Sequence, residues 1–131
     1  MDDRKIEALA CTCAHLADER KGEDIVVLEV GGVAFFTDYF VIVTGRNARQ
    51  LRAIAEDIRH QAKRLGWPCI GIEGEAETGW ILLDLGDAIV HLFAPDARRL
   101  YDLELLWGDA PRTDWQSVQP LATSLPTETP A

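Results

Sequence analysis

The sequence predicts an α/β domain, one mixed five-stranded sheet flanked by helices in the order α-β-β-α-β-β-β-α. Three observations predict it. Long segments near the start and in the middle repeat apolar residues at helical spacing. Between and after them lie five short runs rich in β-branched and aromatic residues, separated by glycine-bearing turns. The 131-residue length suits one domain, with its own core and no need of a disulfide or metal.

The elements follow in order. Residues 3–20 place Ile6, Leu9, Ala10, Cys13, Leu16 and Ala17 on one helical stripe, and Lys21-Gly22 stops it. Asp24–Val30 is a first strand, Gly31-Gly32 turns the chain, and Tyr39–Thr44 is a second strand ending at Gly45. Residues 47–65 form the best helix: Asn47 is its N-cap, and Leu51, Ile54, Ala55, Ile58, Ala62 and Leu65 make its apolar face. Gly66 and Pro68 end it. A short third strand runs Cys69–Ile72, and residues 73–79, acidic and glycine-bearing, read as an exposed loop. The runs WILLDL and AIVHLF around Gly86-Asp87 predict a hairpin with a type II′ turn. Pro95-Asp96 opens a last helix to about Trp107. The folded domain is thus expected over 1–108. Residues 109–131, holding four of the six prolines, read as a mostly disordered tail in which Trp115 docks locally.

Composition narrows the function. With 22 acidic against 13 basic residues the chain carries −9, which forfeits the counterion-release energy of phosphate contacts. Direct nucleic-acid binding is disfavoured and a basic protein partner is favoured. Residues 46–64 reverse the balance with six basic and two acidic residues, a pattern expected of a solvated helix face. Three cysteines make a poor disulfide framework, and Cys11 with His15 is too small a set for a metal. No apolar segment approaches the ~20 residues of a membrane span, and the acidic start Met1-Asp2-Asp3 is unlike a secretory signal, so a cytoplasmic protein is expected.

Strand alternation lets the hairpin be read face by face. Leu85 opposite Ala88, Leu83 opposite Val90 and Ile81 opposite Leu92 form a core face. The other face pairs Trp80 with Phe93, Leu82 with His91 and Asp84 with Ile89. Aromatic rings beside an acid and a histidine are either half covered by a helix or offered to a partner, and tryptophan is enriched among interface anchors.

Catalytic sets are harder to assemble. Asp38, Asp84 and Asp87 could carry Mg²⁺ for nucleotide chemistry, but Asp84 and Asp87, three apart, point opposite ways on a strand. Ser117 and Ser124 lie in the expected tail. The Thr44-Gly45-Arg46 turn precedes a helix but lacks the phosphate-loop lysine and glycine spacing, so no cofactor is expected.

Three blocks resemble the Iojap family of ribosomal silencing factors. They are Glu73-Gly74-Glu75 with Gly79–Asp87 and Val90–Phe93, then Thr37–Ile42 with Thr44-Gly45, then Arg99–Glu104 with Leu106-Trp107. The resemblance covers about residues 1–108. It implies a nucleotidyltransferase-like fold without that superfamily's catalytic acids. It also implies a homodimer, and binding to protein uL14 of the large ribosomal subunit that blocks joining of the small one. By the same resemblance the contact surface comprises Trp80, Ile81 and Asp84, rimmed by Glu73 and Glu75. Alternation puts Ile81 in the core, so the two readings agree only if the register slips by one residue. Arg46-Asn47-Ala48 departs from the small, hydroxyl-rich residues usual in that family. The expected function is a non-enzymatic translation repressor; the rivals are a Mg²⁺-dependent nucleotide enzyme and a bare dimerisation adaptor.

Overall fold

A computed structural model describes residues 3–122. Helix α1 (Asp3–Glu19) leads into strands β1 (Glu23–Glu29) and β2 (Tyr39–Thr44), then α2 (Ala48–Arg64). Strand β3 (Gly71–Glu75), a single 3-10 turn (Ala76–Thr78), β4 (Trp80–Asp84) and β5 (Ala88–Phe93) follow. Two short helices, α3 (Pro95–Tyr101) and α4 (Leu103–Leu106), and a two-residue strand β6 (Arg112–Thr113) complete the order. The strands form one sheet in the order β3-β4-β5-β2-β1-β6. Among the described residues only β2 and β5 pair in parallel; every other neighbour is antiparallel.

The helix ends obey local chemistry. The Asn47 side chain accepts from Gln50 N at 2.8 Å, capping α2 as expected. The central strands β2 and β5 are buried along their whole length, because helices cover both of their faces. Helices α1 and α2 lie on one side, packing Leu9, Cys13, Leu51, Ile54 and Ile58 against Val41, Val43, Leu83, Val90 and Leu92. Burial pushes the Cys11 and Cys13 thiols up to about 12, so both behave as small apolar groups. The other side of the sheet gathers Leu28, Phe40, Ile42, Ile89 and Phe93 under the much smaller cover of Leu103 and Trp107.

Four expectations need correction. The sheet has six strands, because β6 pairs with the outer edge of β1, a partner no local pattern announces. The third strand runs Gly71–Glu75, so residues 73–79 are a strand end and a 3-10 turn rather than a loop; pairing with β4 holds the acidic stretch extended. The last helix breaks at Asp102, whose φ of +45° starts a new turn that its own side chain caps at Leu105 N.

The expected tail is ordered over 109–122. Glu29 N donates to Pro111 O at 2.8 Å, and the Trp115 indole N–H donates to Ile25 O at 3.2 Å. Leu121 N donates to Thr12 Oγ1 at 2.8 Å, and the Trp115 ring meets His15 edge-on at 5.0 Å. Composition favours disorder here, but these long-range contacts with α1 and β1 offset the ordering entropy. The remainder of the expected tail, 123–131, lies outside the described residues. Trp115→Ala removes both the indole packing and its hydrogen bond, and is expected to cost about 2 kcal/mol in urea denaturation, below the full-burial value because the ring is half-buried.

Candidate partner-binding face

The hairpin that carries the candidate site has the expected register: Trp80 opposite Phe93, Ile81 opposite Leu92, Leu82 opposite His91, Leu83 opposite Val90 and Asp84 opposite Ile89. Gly86 takes φ +84° in the turn, which a side chain would strain, and Leu85 N closes the turn on Ala88 O at 2.9 Å. Asp84 accepts from Gly86 N at 2.8 Å, so its carboxylate braces the turn. With no register slip, Ile81 faces α2 and is 5% exposed. Its side chain packs in the main core, where Trp80 and Asp84 are on the opposite face.

That opposite face is an aromatic band. Trp80 is half-buried, with its ring 5.0 Å from Phe93 and 4.4 Å from Tyr101. Its indole N–H donates to His91 Nδ1 at 3.3 Å. This bond makes His91 an acceptor at Nδ1, so the neutral ring carries its proton on Nε2, a buried nitrogen without a partner among the described residues. Burial lowers the His91 pKa to about 4, since no carboxylate compensates the loss of water. Phe40 meets His91 edge-on at 4.8 Å, and Phe40 and Phe36 continue the band to Trp107.

The outer end of the band opens into a cavity of about 210 Å³ lined by Glu73, Gly74, Thr78, Trp80, Leu82 and Tyr101. Gly74 makes this close approach possible: with φ +82°, any Cβ there would sit 2.1 Å from Trp80 O. Glu73 and Glu75, opposite Leu82 and Trp80, share the Trp80 side of the sheet. Both are exposed, and neither has an ion-pair partner among the described residues. Glu77, by contrast, pairs with Arg52 on α2. The structure therefore brings Trp80, Glu73 and Glu75 together, places Asp84 in the turn beside them, and sets Ile81 on the far side.

Sequence reasoning missed Tyr101, Phe36 and Trp107. Tyr101 is 48% exposed, and Phe36 is 53% exposed beside the fully exposed Phe35. The apolar run Val33-Ala34-Phe35-Phe36 between glycines and Asp38 was the available signal, since such a loop has no reason to be apolar unless it packs or binds.

The carboxylates of the rival metal site are engaged separately. Asp87 accepts from the Trp67 indole N–H at 2.9 Å, Asp84 holds the turn, and Asp38 lines a small cavity with Asp3 and Glu29. No group of three or more His, Cys, Asp or Glu side chains among the described residues could hold a metal ion. At the Thr44-Gly45 turn, the Thr44 hydroxyl accepts from Arg98 at 2.9 Å, and Arg98 is itself clamped by Glu104 at 2.9 and 3.1 Å. This clamp holds the Glu104 carboxyl below its usual range. Two bases of α2 are matched by acids, Arg59 by Glu56 and Arg52 by Glu77, while Asp57 of α2 pairs with Arg20, just after α1, at 3.5 Å. No described helix is long and apolar enough to cross a membrane.

The fold is a small mixed α/β domain, and this face presents aromatic rings beside exposed carboxylates. The chain belongs to the family described as "RsfS: Ribosomal silencing factor during starvation", whose model matches residues 3–131. It is 44% identical over 110 residues to the ribosomal silencing factor RsfS of Bacillus subtilis, covering 84% of this chain and 88% of that one. A mouse protein named mitochondrial assembly of ribosomal large subunit protein 1 is 35% identical over 95 residues, 70% of this chain and 42% of that protein. A crystal structure of a Chromobacterium violaceum protein superposes with a TM-score of 0.73 at 33% identity, covering 82% of this chain and 88% of that one.

Proposed function

We propose that this protein represses translation by binding uL14 on the large ribosomal subunit and sterically blocking the small subunit, without catalysing a reaction. The observation that carries the reading is the half-buried Trp80 beside exposed Tyr101, with the unpaired carboxylate of Glu73 at the rim and Glu75 opposite Trp80 on β3. Such a face suits a basic protein surface: the rings supply a desolvated anchor and the acids supply steering and orientation. The name of the mouse relative concerns the large subunit, which is where the proposed partner lies. Binding takes place in the cytoplasm. A homodimer is part of the same reading, supported by the apolar side chains of Phe35, Leu105 and Leu106 left exposed.

Co-sedimentation with purified large subunits tests the face. The double variant Trp80→Ala, Glu73→Lys is expected to bind at least roughly 30-fold more weakly, the loss of about 2 kcal/mol typical of an interface anchor. Equal sedimentation of variant and wild type removes this face from the mechanism.

A further inference from the structure

Helices α3 and α4 carry Tyr101 but have no core of their own. Neither contains a buried residue, and α3, at seven residues, is too short to hold its shape without tertiary support. Between them Asp102 takes φ +45°, a left-handed conformation that costs energy for a residue other than glycine and persists where the surroundings enforce it. Tyr101 is the last residue before that turn, so the backbone at the break decides where its ring lies.

A largely buried ion pair spans the break. Arg98, three residues before Tyr101, donates from Nε and Nη2 to the two carboxylate oxygens of Glu104, three residues after it, at 3.1 and 2.9 Å. Its Nη1 donates to Thr44 Oγ1 at 2.9 Å, and Thr44 ends the buried strand β2. The Arg98 side chain is 11% exposed, so water competes little for this fork, unlike the exposed Arg99–Asp96 pair on the same helix. All three nitrogens of the guanidinium are thereby engaged within the chain, and an anion entering the cavity of about 330 Å³ beside Arg98 would have to displace Glu104. The contact joins α3, α4 and the sheet at one point.

We propose that Arg98 and Glu104 are positioning residues for partner binding: their ion pair, pinned to Thr44, fixes the α3–α4 break and so holds the Tyr101 ring against Trp80 and Phe93 before the partner arrives. That ring lies 4.4 Å from Trp80 and 6.1 Å from Phe93 yet keeps nearly half its surface in solvent, held on one side and offered on the other. Arg98 and Glu104 border a different cavity from the one that Tyr101 lines, so they act on the ring through the backbone. An aromatic anchor fixed in advance loses less rotamer freedom on binding than one ordered by contact. The inference rests on the proposed ribosome-binding reading and adds what keeps its second ring in place.

A double-mutant cycle separates this role from direct contact and from plain stability. In Glu104→Gln the amide keeps the shape but sets an N–H donor against Arg98, so one arm of the fork is lost. Arg98→Lys keeps the charge and loses the fork. Binding is read by co-sedimentation of the full chain with purified large subunits, at a temperature where circular dichroism shows every variant folded. Tyr101→Ala and Glu104→Gln are each expected to bind about tenfold more weakly than wild type. In the Tyr101→Ala background, Glu104→Gln is expected to add less than about twofold. In NMR spectra of the free protein, the Tyr101 ring signals are displaced in wild type by the ring current of Trp80. They are expected to move toward those of an exposed tyrosine in both Glu104→Gln and Arg98→Lys. Should Glu104→Gln not fold, Thr44→Val removes the third arm alone and is expected to shift the same signals in the same direction. An equal loss in both backgrounds makes Glu104 a contact or a stability residue and overturns the proposal. Unmoved Tyr101 signals in either variant, or wild-type binding by Tyr101→Ala, also overturn it. If Trp80→Ala, Glu73→Lys binds like wild type, the ribosome-binding face itself fails. If that variant is defective and the cycle shows no coupling, the clamp alone does.

Discussion

Between pH 6.5 and pH 4 the folded protein is expected to lose on the order of 3 kcal/mol of stability through His91 alone. The imidazole is 4% exposed, flanked by Trp80, Phe93 and Phe40, and burial lowers its pKa to about 4 from the ordinary 6.5. In that window the unfolded chain binds a proton that the folded one refuses. The contribution of His91 is therefore complete above pH 6.5 and disappears as the pH falls toward 4. A local consequence accompanies the global one. Protonated imidazole cannot accept at Nδ1, so the Trp80 N–H loses its partner and the indole is freed from its fixed orientation. Urea denaturation of wild type and His91→Phe across this range isolates the effect from that of the carboxylates, because both proteins share them. A difference in stability between the two that does not change with pH would show that His91 is not the neutral, buried acceptor described above.

Phe93→Ala is expected to destabilise the protein by about 4 kcal/mol, near the middle of the range for emptying a buried aromatic site. Phe93 is wholly buried and is the ring beneath both Trp80 and Tyr101, at 5.0 and 6.1 Å. Its neighbours on β5 are fixed by two sheet partners, β2 and β4, so the backbone cannot collapse into the space. Calorimetric melting measures the loss. Because the aromatic band stands on this ring, subunit binding should weaken even at temperatures where the variant is fully folded, whereas Leu92→Ala, on the other side of the sheet, should destabilise the fold without the same effect on binding. Identical binding losses per unit of destabilisation in the two variants would mean that Phe93 supports only the core.

Much of this molecule could be read from local pattern. The hairpin register followed from strict alternation and the Gly86-Asp87 turn, since a slip of one residue would have turned Asp84 and His91 into the α2-covered core. Helix α2 was legible because its cap, its apolar stripe and its terminating Gly66-Trp67-Pro68 agree. The resemblance assigned Ile81 to the contact surface, and the structure turns that side chain inward. Alternation alone had placed it there.

The sequence by itself determined the class of the fold, the order of its main elements, the two faces of the β4–β5 hairpin and the family to which the chain belongs. These rest on interactions between residues close in the chain or on motifs that survive without knowing the fold. Tertiary structure alone decided that Pro-rich residues 109–122 are held, that Tyr101 completes the aromatic site, and that β3 is left at an open edge. Each of those depends on groups far apart in the chain meeting in space, such as Leu121 on Thr12 and Tyr101 on Trp80. Composition and periodicity carry no record of such meetings, because their energy exists only once the sheet has brought the partners together.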